Sequence, residues 1–255
     1  MNGYLNENTM KPYNNPPITE AILDIKTNLP PDIFLSHLQE FQEFVKSDYP
    51  VKKERRSFEG GIQFKSGSAP EFKASPEKIV GFLFHSEDGK SIVQVRLDGF
   101  TFNKLRPYSN WEKFNTEAKK LWMQYVKTAK PSSVSRIALR YINRIELPMP
   151  FSDFKEYILT VPEIATGIPQ GLAGFFVRLA IPNEDIGATA IVIETIEAIK
   201  PDTNKLPLIL DLDVFKSVSM SPDTEKIWVV LNQLREYKNL IFDKSITDKT
   251  KELFK

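Results

Sequence analysis

Three arginines, Arg136, Arg140 and Arg144, recur every fourth residue in "SRIALRYINRIELP". Side chains alternate along an extended chain, so all three project from one face, with Cα atoms ~13 Å apart at each step. Ala138, Ile142 and Glu146 share that face. Ile137, Leu139, Tyr141, Ile145 and Leu147 take the other, with Asn143 as a polar intruder. Guanidinium forks match carboxylates and phosphates. Two chemistries follow from the ladder. It can pair with Glu20, Asp24, Asp211 and Asp213 on neighbouring strands, or it can face an anion in a basic groove that Arg96 would join. Ion pairing is the leading explanation.

A second dense stretch is "GFTFNKLRPYSNWE". It puts Asn103, Lys104 and Arg106 where a strand gives way to a helix, whose N-terminus attracts anions. Pro107, Tyr108 and Ser109 also serve there as turn and cap residues. The anion candidates are therefore Arg96, Asn103, Arg106, Arg136, Arg140 and Arg144. In "LILDLDVFK", Asp211 and Asp213 share a strand face and form a D-x-D pair that holds magnesium in some proteins, with Glu194 as a third carboxylate. The motif is short and common, and salt bridging to the ladder fits it better. A nuclease-like reading from Pro201-Asp202 to Lys216 fails on its last spacing. Neither a phosphate-binding nor a dinucleotide-binding glycine loop occurs. No catalytic residue is assigned: cysteine is absent, and His37 and His85 have no partner fixed by spacing. No cofactor is expected. "VKKERR" (51–56) reads as a solvated charge run.

The elements that must hold these residues follow from periodicity. "ITEAILDIKTNL" (18–29) alternates as a half-buried strand. A helix follows over 31–49, with Phe34, Leu38, Phe41 and Val45 at helical spacing. Short strands come next, and "EDGK" is read as a type I′ hairpin turn. A helix over 109–130 carries an apolar stripe from Trp111 to Tyr125, with Ser109 and Glu112 as its capping box. The strand over 134–147 then opens a second round: a short helix at "FSDFKEYILTV", strands near 172–181, 188–199 and 206–216, and a final helix with Ser221 as N-cap and Pro222 in its first turn. The expected fold is α+β, a mainly antiparallel sheet with helices packed on it, built by internal duplication of a strand–helix–strands–helix unit. A flexible arm (1–15) precedes two halves, 16–131 and 132–255.

Lys and Arg total 34 against 33 Asp and Glu, so the balance argues against nucleic acid as a partner. No apolar run approaches the ~20 residues that span a bilayer. With no signal-like segment at the start and no cysteine, the expected compartment is the cytoplasm and no membrane partner is expected.

"PPITEAILDIK", "FTFNKLRPYSNWEKF", "RIALRYINRIELP" and "FDKSITDKTKELF" occur in that order. With the N-K-L-x-P-Y and R-Y-x-N-R-I segments, the chain resembles a sporadically distributed family of uncharacterised bacterial and archaeal proteins. The resemblance implies one intact unit. It brings no activity to carry over, and its patchy distribution suggests mobile or defence-linked, toxin–antitoxin-like gene pairs. The expected function is that of a non-enzymatic interaction protein, a partner or sensor component, with a protein partner or its own copies as the bound species. The alternative is a small-anion or nucleotide-binding protein with a basic groove and magnesium-dependent phosphoryl chemistry.

Overall fold

The computed structural model describes residues 13–57, 60–63, 71–74, 76–198 and 203–255. Its first strand, β1 (Ile18–Asn28), buries Ala21, Leu23 and Ile25 completely, as the alternation requires. The expected first helix is two short ones, α1 (Leu35–Gln39) and α2 (Phe41–Val45), broken at Glu40. The charge run forms β2 (Val51–Ser57), a strand at the edge of the main sheet. A separate hairpin joins β3 (Gly60–Gln63) to β4 (Glu71–Ala74). Three strands follow: β5 (Lys78–His85), β6 (Ser91–Arg96) and β7 (Gly99–Leu105).

The turn between β5 and β6 is where expected, but its geometry differs. The Gly89 N–H donates to the Ser86 carbonyl at 2.9 Å, and in this turn Gly89 alone has a positive φ, 67°. That is the pattern of a type I turn closed by a left-handed glycine, whereas type I′ needs two positive φ values. Helix α3 (Trp111–Ala129) buries the whole anticipated stripe. Its N-cap is Asn110, one residue beyond Ser109, and the Asn110 side chain accepts from the Lys113 N–H.

The ladder strand is β8 (Ser133–Pro148). The short helix after it shrinks to one 3-10 turn at Phe154–Glu156. Then come β9 (Phe176–Asn183), β10 (Ala188–Ile196) and β11 (Lys205–Met220). Helix α4 (Lys226–Ser245) begins later than Ser221 suggested, with Glu225 as its N-cap, and α5 (Asp248–Glu252) ends the chain. Residues 1–12 of the expected arm lie outside the described residues. Its end does not hang loose: Tyr13 packs edge-on against Phe242 and Phe254, and Asn15 bonds the Phe254 carbonyl.

Nine strands form one antiparallel sheet in the order β2-β5-β6-β7-β1-β8-β11-β10-β9. The central seam pairs β1 with β8, with Leu23 opposite Leu139. One face carries the core: Phe100 and Phe102 of β7 meet Trp122, Tyr125 and Phe114 of α3, while α4 lies over β8 and β11. The arginines occupy the opposite face.

Candidate functional site

Register places the predicted residues. Lys26, Asp24, Ile22 and Glu20 of β1 lie opposite Arg136, Ala138, Arg140 and Ile142 of β8. On its other side, β8 sets Arg140 opposite Asp213 and Ile142 opposite Asp211. Arg96, Asn103, Arg136, Arg140 and Arg144 therefore do share one face of the sheet, and that face is strongly ion-paired.

Arg96 is 6% exposed and lies between two glycines. A Cβ on Gly81 would come within 3.1 Å of the Arg96 side chain, and one on Gly99 within 3.2 Å. The guanidinium donates to Asp24 at 2.8 Å, to Asp98 at 2.9 Å and to Thr101. Burial opposes its charge, but Asp24 and Asp98 overcome that and hold its pKa above the ordinary value. Arg136 reaches Asp24 at 3.5 Å across the seam and Asp213 at 3.7 Å, and it stacks on Phe215. Arg140 grips Asp211 with two bonds, 2.8 and 2.5 Å. Arg144 is held by Glu197 at 2.8 Å and by Glu146. Thus Arg136 ties the halves together, while Arg140 and Arg144 pair within the second half. Asn103 donates to Glu20 at 2.6 Å and accepts from Gln94. Arg106 stands apart, exposed at the end of β7.

Glu194 cannot join Asp211 and Asp213. It lies opposite Leu210 on the core face, on the other side of the sheet. Asp211 already has both oxygens on Arg140. Among the described residues no three His, Asp or Glu side chains gather where a metal would need them.

Four features escaped the sequence reading. The first is an open cleft of about 520 Å³ lined by Asp48, Tyr49, Asp88, Ser91, Lys104 and Glu117. There the Tyr49 hydroxyl donates to Glu117 at 2.5 Å and Lys104 to Ser91 at 2.6 Å. The second is Glu194, 1% exposed, with neither oxygen hydrogen-bonded among the described residues; burial pushes its pKa up to about 7. Lys238 of α4 is the third. It is 8% exposed, and burial, with Arg235 beside it, pulls its pKa down to about 7. Periodicity places both residues on buried faces and gives no sign that they lack partners.

The fourth is the edge strand β9, which among the described residues pairs only with β10. Phe176, Leu179 and Ile181 are 65%, 37% and 36% exposed. The strand reads "FVRLAIPN", with a single charge, Arg178, and one proline, Pro182, next to its last residue. At the opposite edge, β2 carries Lys52, Lys53, Glu54, Arg55 and Arg56, the charged blunting that natural edges use against pairing.

No family model matches the chain, and no curated protein matches it. No helix among the described residues is long and apolar enough to cross a membrane.

Proposed function

We propose that the chain is a non-enzymatic interaction protein that recruits a strand of a protein partner to β9. The observation that carries this reading is the contrast between the two sheet edges. β9 is bonded to a strand on one side only and is flanked by exposed apolar side chains, with its Ile181 carbonyl accepting from the Tyr237 hydroxyl at 3.1 Å, and β2 is charged along its length. Strand addition uses such an edge: main-chain bonds supply affinity, and alternate side chains supply selectivity. The resemblance to a patchily distributed family supports a role as partner or sensor component in a mobile or defence-linked gene pair, acting in the cytoplasm. We read the two halves as a duplicated unit. The order β1-β7-β6-β5 is matched by β8-β11-β10-β9, and α3 and α4 close the respective halves.

The test is co-expression with the product of the adjacent gene. A complex on size exclusion that is lost in the double variant Phe176→Lys, Ala180→Lys supports the reading. A clean monomer with no complex overturns it, as does a complex that survives both lysines.

The second reading, a small-anion or nucleotide-binding protein, loses its footing on the ladder because those arginines are held by carboxylates. Magnesium-dependent phosphoryl chemistry has no carboxylate set behind it among the described residues. What favours anion binding is a different cluster, beneath α4.

A further inference from the structure

Lys238 sits in the middle of α4 and points at the sheet, with its ammonium 4.0 Å from the centre of the Tyr141 ring. It has no hydrogen bond or ion pair among the described residues. Burying an ammonium without a counter-ion costs several kcal/mol, so proteins seldom keep one without a use for it. Its surroundings deepen the deficit. One turn earlier on α4, Arg235 lies over the Trp111 ring at 5.4 Å and likewise has no carboxylate partner among the described residues. Two cations therefore lie side by side with no anion between them.

Hydrogen-bond donors surround them. The Tyr108 and Tyr141 hydroxyls hydrogen-bond each other at 2.8 Å, which leaves one O–H between them free, and the Arg235 charge acts on both. Burial holds Tyr108 up at about 12 and Tyr141 well above its ordinary value, so both remain protonated at neutral pH. Trp111, the first residue of α3, is fastened to α4 by its indole N–H on Asn232 at 3.0 Å. That contact and the Arg235–Trp111 stacking set the first turn of a 19-residue helix beside Arg235, and its dipole favours negative charge. The cluster is not sealed, because Arg235 and Tyr108 are only half-buried. Glu112, exposed in the first turn of α3, is the carboxylate whose charge is felt at both tyrosines.

We propose that Lys238 and Arg235, with the hydroxyls of Tyr108 and Tyr141, form a binding site for the phosphate group of a small ligand. The arginine fork and the lysine supply charge, the one phenol O–H not used between the two tyrosines supplies a neutral donor, and the ligand supplies the missing counter-ion. Binding favours the ammonium form of Lys238 and so draws in a proton. The charged and titratable groups facing it are Arg235 of α4, Tyr141 of β8, and Tyr108 and Glu112 at the start of α3. Phosphate completes its own second ionisation near neutrality, which works the other way; above about pH 8 that gain is complete, and loss of the Lys238 ammonium then lowers affinity.

The inference stands apart from the β9 reading, because neither lysine substitution in β9 touches this cluster. Its test is thermal unfolding of the full chain with inorganic phosphate and, separately, with glycerol phosphate, each against chloride at equal ionic strength. Near saturation a bound phosphate raises Tm by about 2–5 °C at pH 7. The shift is expected to vanish in Lys238→Met and in Arg235→Met, to grow in Glu112→Gln and to shrink at pH 9. Lys238→Met removes a buried charge and so folds at least as well as the parent. A response to both probes assigns the site to free and esterified phosphate alike, and a response to glycerol phosphate alone assigns it to an organic phosphate. No shift beyond chloride for either probe overturns the proposal, and so does a shift that persists undiminished in Lys238→Met.

Discussion

At the residue scale, the molecule keeps two kinds of charge. The ladder arginines are paired; among the described residues Glu194 on the core face and Lys238 and Arg235 of α4 have no ion-pair partner. Glu194 has its folded pKa raised to about 7 from 4.5, so the folded chain holds that proton more tightly than the unfolded chain does. The stability this brings is full below pH 4.5 and is lost as pH climbs to 7. Glu194→Leu should then stabilise the protein by up to about 3 kcal/mol at pH 8 and by almost nothing at pH 4, read from urea unfolding at both values. Lys238 has the opposite sign: its folded pKa is lowered to about 7 from 10.5. The unfolded chain binds the extra proton between those values, so stability is reduced below pH 7 and recovers as pH rises to 10.5. The shift sets a ceiling of about 5 kcal/mol, and the lost contact with Tyr141 returns about 1–2. Lys238→Met should therefore gain about 3 kcal/mol at pH 6 and nothing above pH 10.5. The ladder shows how much of this was legible. Alternation alone puts Arg136, Arg140 and Arg144 on one face and offers Glu20, Asp24, Asp211 and Asp213 as partners; three of the four take ladder arginines, whereas Glu20 takes Asn103 and Arg144 pairs with Glu197 and Glu146. Which arginine takes which carboxylate depends on register across three strands. The orphaned state of Lys238 depends on what α4 meets, and neither is written locally.

At the element scale, strands announced themselves and helix ends did not. β1, β8 and β11 were placed within a few residues because apolar side chains alternate along them. The charge run 51–56 reads as solvated and shows no alternation, because β2 is an edge strand exposed along most of its length. Helix α4 was started too early at Ser221, where Ser-Pro-Asp-Thr has the chemistry of a helix cap. There the Pro222 carbonyl instead accepts the Trp122 indole N–H at 3.0 Å, fixing that segment on α3 before the helix begins. A further prediction concerns how β5 and β6 approach each other. A Cβ on Gly81 would stand 2.3 Å from the Val95 carbonyl oxygen, and that atom belongs to the backbone and cannot step aside. Gly81→Ala should cost roughly 2–4 kcal/mol and loosen the Arg96 clasp with it. Chemical denaturation gives the cost, and faster amide exchange in β5 and β6 locates it. Unchanged stability would mean that these strands can separate without penalty.

At the scale of the whole molecule, the halves are tied by more than β1 and β8. Arg136 reaches Asp24, Tyr108 meets Tyr141, Trp111 bonds Asn232, and Lys119 binds Glu225 at 2.7 Å. A continuous sheet fastened on both faces should unfold in one cooperative transition, with calorimetric and van't Hoff enthalpies in agreement. Two resolved transitions would show that the halves are independent. The same continuity leaves the sheet only two edges, and one of them is charged. Amide hydrogen exchange on the complex with the adjacent gene's product tests the functional reading most directly. The account predicts that the outward-facing amides of β9 between Phe176 and Ile181 become protected on binding while those of β2 keep their rate. Protection confined to the ladder face or to β2, with β9 exchanging as before, would contradict it.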